Sequence, residues 1–270
     1  MKPGWLVPAA VLATLPGTSL GAQAHHAPGD APVVALIREA VEPYADRRQA
    51  IAAGYRRIGP DFPGMGEHWV QVPLLVRGVL DLARPAILTY ATIDGRVTLT
   101  GVGYAVAVAA DDTLPGDFAG GHAAWHVHTG SVADESFLPA VHHARQTDGL
   151  RLAVTHAWVR LPNPDGTWAT DNWALPWVRA GLTPPARPDP HAARALAAAM
   201  TNRDYYRVRW RRLGVLTADG VERLLAEHAA AVRRLLARTT DPEARDRALA
   251  AEWRATCPRT GDACAAHARH

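Results

Sequence analysis

Past a short N-terminal stretch, the hydrophobic period of this chain changes near Asp189, and that switch constrains the fold more than any motif does. Upstream, apolar residues alternate with polar or small ones in short runs broken by Gly and Pro. Downstream, Asp189-Pro190, Thr217 and Asp241-Pro242 each open a stretch rich in Ala, Leu, Arg and Glu. Asp or Thr at such a point caps free N–H groups, and Pro in the first turn loses no hydrogen bond. In "ADGVERLLAEHAAAVRRLLAR", Val221, Leu225, His228, Val232 and Leu235 fall on one helical stripe. Before the switch, "PAILTYATI", a turn at Asp94-Gly95 and "RVTLTGVGYAVAV" read as an antiparallel hairpin, with Val102, Tyr104, Val106 and Val108 on one face.

"EHWVQVPLLV", "HAAWHVHT" and "RLAVTHAWVRLP" are the other strand candidates, and a polar segment that could hold a short helix separates the last two. "GPDFPGMG" and "NPDGTWATDNWALPW" read as loops, and "TPPARPDP" as a linker. Val34, Ile37, Val41, Tyr44 and Ile51 place one or two helices near the start, interrupted at Pro43. The expected class is α+β, an antiparallel sheet with an N-terminal helix and a helical C-terminal region. The expected organisation is a leader over 1–24, an α+β domain over 25–188, a helical region over 189–256 and a tail over 257–270.

The leader is "MKPGWLVPAAVLATLPGTSLGAQA": basic at Lys2, apolar through Leu15, small at Ala22 and Ala24. That order predicts a secretory signal peptide cut after Ala24. The apolar run falls well short of the roughly 20 residues of a membrane anchor and is broken by Pro8 and Pro16. The mature chain is therefore expected to be secreted or periplasmic, with no membrane span. In a compartment where disulfides persist, Cys257 and Cys264 of "CPRTGDAC" are expected to form a local bridge. Lys and Arg number 29 against 26 Asp and Glu, and Lys2 is the only lysine. A net charge of +3 without a basic stripe carries no nucleic-acid footprint, so the expected partner is a small-molecule ligand or substrate.

Histidines carry the chemistry. In "HAAWHVHTG", strand alternation puts His122, His126 and His128 on one face and Trp125 and Val127 on the other. His126 and His128 stand roughly 7 Å apart at Cα, close enough for two imidazoles to converge on one ion. A third ligand must come from elsewhere. His156 shares a face with Leu152, Val154 and Trp158, and His68 follows Glu67 where a loop passes into a strand. His68, His126, His128 and His156 would form an all-nitrogen site suited to zinc, copper or iron, with a position left for water.

Each of these residues also has a plainer reading. A lone histidine on an apolar face is often a buried imidazole bonded to backbone, which suffices for His228 and is the alternative for His156. His142-His143 reads as a solvated pair, and His267 and His270 as part of the terminus. Glu67 is the candidate general base on a metal-bound water, although alternation points it away from His68; the alternative is a solvated strand-edge carboxylate. Asp171 is either a partner for a histidine N–H or a turn former.

"GMGEHWVQ", "RPAILTYATIDGRVTLTGVGYAV" and "THAWVRLPNPDGTWATDNW" together resemble a family of uncharacterised exported bacterial proteins. Its pattern runs Met-Gly-x-His-aromatic-Val, an Arg-Pro-x-x-Leu-x-Tyr strand, Gly-Val-x-Tyr, His-x-Trp, then Asn-Pro-x-Gly and a Trp-containing loop. The match covers residues 62 to 177 in patches and falls on Met65, Gly66, His68, His156, Trp158, Asn163, Pro164, Gly166 and Trp173. This chain departs at Gln71, where the family has asparagine, at "DNWALP" in place of Trp-Asn-Pro, and in lacking a cysteine after it. The resemblance implies that His68 and His156 are a linked pair and names no reaction.

No nucleophile elbow, phosphate loop, haem-attachment motif or dinucleotide fingerprint is present. The expected function is an exported metal-binding protein, as a metal-dependent hydrolase or oxidoreductase of a small molecule. The alternative is a non-catalytic module that binds a metal or small ligand, with Trp69, Trp125, Trp158 and Trp173 as walls.

Overall fold

A computed structural model describes residues 31–109, 112–128 and 150–262. The leader, His142, His143, Cys264, His267 and His270 lie outside the described residues. The sheet is antiparallel, in the order β1-β2-β3-β4-β6-β5. Its strands are β1 (Arg56–Phe62), β2 (Gly66–Val70), β3 (Ile87–Ile93), β4 (Arg96–Ala109), β5 (Trp125–His128) and β6 (Leu150–Ala157).

β4 is the spine of the sheet, pairing with β3 along its first part and with β6 along its second. The β3–β4 turn is the expected one: Asp94 and Gly95 have φ of 49° and 73°, the left-handed pair whose twist matches a two-residue hairpin. Gly66, which opens β2, is forced by contact, because a Cβ there would lie 2.3 Å from the Tyr90 carbonyl oxygen.

Period-2 patterning gives the sheet two buried faces. On one, Leu88, Tyr90, Val102 and Tyr104 pack with Val34, Ile37 and Val41, from helix α1 (Ala31–Ala40) and the residue after it, and with Ala50 of α2 (Arg47–Ala52). The other carries Phe62, Val70, Ile87, Ala105, Leu152 and Val154, with Leu75 from α3 (Val72–Arg77).

The C-terminal region comprises α4 (Leu175–Arg179), α5 (Pro190–Leu196), a π-helical turn (Ala197–Thr201), α6 (Arg203–Leu213), α7 (Ala218–Arg238) and α8 (Pro242–Thr256). The side chains of Asp189, Thr217 and Asp241 cap α5, α7 and α8, as the sequence predicts. These helices enclose a third core around Trp177, Trp210, Leu225, Val232 and Trp253. Among the described residues no helix is long and apolar enough to cross a membrane. Cys257 is buried in a 3-10 turn after α8.

Three local expectations are corrected. Gly59, Pro60, Asp61 and Phe62, read as loop, belong to β1; the register shifts between Ile58 and Asp61, a bulge that tolerates Pro60 on an edge strand. The strand read through "EHWVQVPLLV" stops at Val70, where Pro73 enters the first turn of α3. His122 to Ala124 form a 3-10 turn, so the strand carrying His126 begins only at Trp125.

One polar cluster ties the helical region to the sheet. Arg179, with 6% of its side chain exposed, clasps both carboxylate oxygens of Asp61 at 2.9 and 2.8 Å. Asn202 accepts from Arg179 at 3.3 Å and donates to the Asp61 carbonyl at 2.9 Å. Removing one member of a buried pair strands the other charge. Arg179→Leu is therefore expected to cost about 2–4 kcal/mol, read as a lower urea midpoint with unchanged slope, and adding Asp61→Asn to it should cost less than the sum of the single changes.

Asp246 on α8 accepts the Asp189 backbone N–H at 3.0 Å. Burial, reinforced by the nearby Asp189 and Glu243 carboxylates and opposed by that hydrogen bond, pushes its carboxyl from an ordinary 3.8 up to about 6. The folded state then binds the proton more tightly than the unfolded chain, so this contribution is complete below pH about 3.8 and lost as the pH rises through about 6. Asp246→Asn keeps the acceptor without the charge. Its melting temperature should exceed that of the parent at pH 7.5 and match it at pH 3.5.

Candidate functional site

Residues opposite each other across a strand pair share a face. His68 on β2 stands opposite Thr89, which stands opposite Gly101; His156 on β6 stands opposite Gly103, which stands opposite Ile87; His126 on β5 stands opposite Val154. The three histidines thus emerge on the face of Ile87 and Val154, although β3 and β4 separate β2 from β6. The glycines of β4 let them meet. A Cβ on Gly103 would lie 3.1 Å from both His156 Cδ2 and Ile87 Cβ, and one on Gly101 would lie 2.6 Å from the Ala157 carbonyl oxygen.

The imidazoles form two close pairs through His156. The centroids of His68 and His156 are 5.6 Å apart with planes at 52°, and those of His126 and His156 are 5.3 Å apart at 50°. His68 and His156 are buried, and His126 is half-buried. Phe62 meets His68 edge to face at 5.4 Å, and Tyr205 of α6 lies 5.9 Å from Phe62.

His156 is held by Thr170, a residue sequence reasoning passed over in favour of its neighbour Asp171. The Thr170 carbonyl accepts from His156 Nδ1 at 3.1 Å. A carbonyl has no proton to give, so this bond puts a hydrogen on Nδ1, and the neutral ring then carries its lone pair on Nε2. A backbone acceptor behind the far ring nitrogen is the support that metal-ligating histidines use. Thr170 Oγ1 also lies 3.4 Å from His126 Nδ1.

The loop that presents Thr170 is fixed by two buried asparagines. Asn163 donates to the Asp171 carbonyl at 2.9 Å and accepts the Asp165 N–H at 3.0 Å, and Asn172 donates to the Pro162 carbonyl at 3.0 Å. Trp158 donates through Nε1 to the Ala169 carbonyl at 2.7 Å. Asn163-Pro-x-Gly166 is a turn whose last residue has φ of 106°, which requires glycine. The carboxylate of Asp171 lies beside Gly64. Only the shared hydrogen-bonding tendency of Asn, Asp and Thr in "NPDGTWATDNW" hinted at this scaffold.

Glu67 is not brought to the histidines. It stands opposite Tyr90 on the other face, bound to Arg57 at 2.8 Å and Arg47 at 3.3 Å, and it accepts from Trp69 Nε1 at 3.0 Å. Strand alternation governs its placement, and no twist of the preceding turn brings its carboxylate to the face of His68.

The backbone of His128 pairs with Leu152, and its side chain lies outside what the structure describes. His228 takes the plainer reading, with Nε2 3.0 Å from the Ala195 carbonyl and Nδ1 3.2 Å from Glu252 Oε1 in the helical core.

Two imidazoles that share one ion through bonds of about 2.1 Å in a tetrahedral arrangement have centroids about 5 Å apart. Each described pair meets that spacing. Among the described residues, however, no group of three or more His, Cys, Asp or Glu is arranged to hold an ion. The chain matches no protein-family model, and no curated protein and no solved structure matches it.

Proposed function

We propose that this is an exported protein that binds a divalent transition metal, zinc, copper or iron, through His126 and His156, with His128 and His68 completing the ligand set. The observation that carries the reading is the state of His156. It is buried, its Nδ1–H is committed to the Thr170 carbonyl, and another imidazole stands at ligand-sharing distance on each side. Neutral imidazoles favour such ions over magnesium or calcium, which take oxygen ligands. His68 and His156 are also the pair that the family resemblance links.

A coordination position left to water would support hydrolytic or oxidative chemistry on a small molecule. The placement of Glu67 in an arginine–tryptophan cluster on the opposite face favours the non-catalytic alternative, a metal-binding module, because it removes the nominated base.

Elemental analysis of purified mature protein is expected to find one zinc, copper or iron per chain. His156→Ala and His126→Ala should each lower the content at least about tenfold under a fixed metal concentration, as removal of a ligand does. His191→Gln, on α5 in the helical region, should leave it unchanged. Metal-free parent protein, or variants that retain the full content, would sink the reading.

Export is checked independently by intact mass without reductant. The expected species begins at His25 and is two hydrogens lighter than the dithiol form, from a Cys257–Cys264 bridge. A mass retaining residues 1–24 would refute cleavage, and a dithiol mass would refute the bridge.

A further inference from the structure

A cleft of about 340 Å³ elsewhere in the molecule is lined by Tyr44, Tyr55, Gln71, Leu74, Arg77 and Arg84, none of which belongs to the histidine site. Its polar groups are unequally committed. Arg84 is neutralised by Asp81, with Nε 2.7 Å from Oδ2. Tyr55 spends its hydroxyl on the Pro85 carbonyl at 2.6 Å. Gln71 donates through Nε2 to the Ala53 carbonyl at 2.7 Å, which fixes the orientation of its amide.

Two groups remain. Arg77, at the end of α3, is exposed and makes no ion pair or hydrogen bond among the described residues, and neither does the Tyr44 hydroxyl. The Tyr44 and Tyr55 rings meet edge to face at 5.3 Å and, with Leu74, give the cleft flat apolar walls. It therefore offers one uncompensated cation, one hydroxyl donor and an aromatic surface.

We propose that this cleft binds a small aromatic monocarboxylate, with the carboxylate on Arg77 and the ring against Tyr44 and Leu74. A guanidinium matches a carboxylate with two parallel N–H donors, and aromatic rings gain from edge-to-face or offset contact. The volume lies at the small end of the range of about 300–1,000 Å³ for ligand sites, which suits a single-ring molecule. A dianion would leave one charge unmatched and would meet the carboxylate of Asp81 beside Arg84.

The test is calorimetric titration of the full chain, dialysed against a chelator so that no histidine-held metal can take the carboxylate. The probes are benzoate, its neutral isostere benzamide, and inorganic phosphate. Benzoate should saturate at one site in the millimolar range or tighter, with benzamide weaker by about tenfold or more. Arg77→Gln should weaken benzoate by about tenfold with no change in melting temperature, since Arg77 holds no other group in place. Absence of saturation by benzoate, undiminished binding to Arg77→Gln, equal binding of benzamide, or displacement of benzoate by an equal concentration of phosphate would each overturn the proposal.

Discussion

The histidine face depends on two places where β4 has no side chain. β2 and β6 are three ladder spacings apart, about 14 Å, and their imidazoles approach to 5.6 Å between centroids only because Gly101 and Gly103 leave the intervening surface bare. A glycine inside a strand costs about 0.5–1 kcal/mol relative to alanine, so a pair of them in the central strand is a standing cost to stability. Around this bare strip the packing is tight. Thr89 and Thr100 share a hydroxyl contact at 3.0 Å beside it, and a Cβ at either glycine would press on backbone, on Thr89, on Ile87 or on the His156 ring.

The helical region reaches this face through two consecutive residues of an edge strand. Asp61 takes the guanidinium of Arg179 on its carboxylate and accepts the Asn202 amide N–H on its carbonyl, while Phe62 stands between His68 and Tyr205. The first contact is polar and directional and fixes the orientation of the helices. The second is apolar and lies against the buried imidazole of His68. The bulge at Gly59-Pro60 makes this possible, since the shift in register re-aims the residues that follow it.

Local chemistry made much of the framework legible in advance. Caps at Asp189, Thr217 and Asp241, the Asp94-Gly95 turn and the period-2 runs on β3, β4 and β6 act over a few residues, so the α+β class follows from them. Period 2 likewise put His126 and His156 in polar positions of otherwise apolar strands. The supporting atom was illegible because it is a backbone carbonyl, which every residue has; nothing in the identity of Thr170 separates it from Asp171. The 3-10 turn at His122 and the strand character of Asp61-Phe62 were hidden for a related reason. Glycine and proline mark a break in regular structure without saying whether it is a turn or a bulge.

Among the described residues β5 covers Trp125–His128 and hydrogen-bonds to the sheet along one side, through β6. A strand bonded along one side opens at lower free energy than interior strands bonded along both, such as those that carry His68 and His156. Any ligand that holds His126 to His156 would therefore act as a rivet at the sheet margin. Part of its binding energy would go into docking the strand, which lowers its apparent affinity. The docked margin would in turn gain up to about 2.7 kcal/mol at a ligand concentration one hundred times the dissociation constant. Hydrogen-exchange protection along β5 would then report occupancy of a site whose other half does not move.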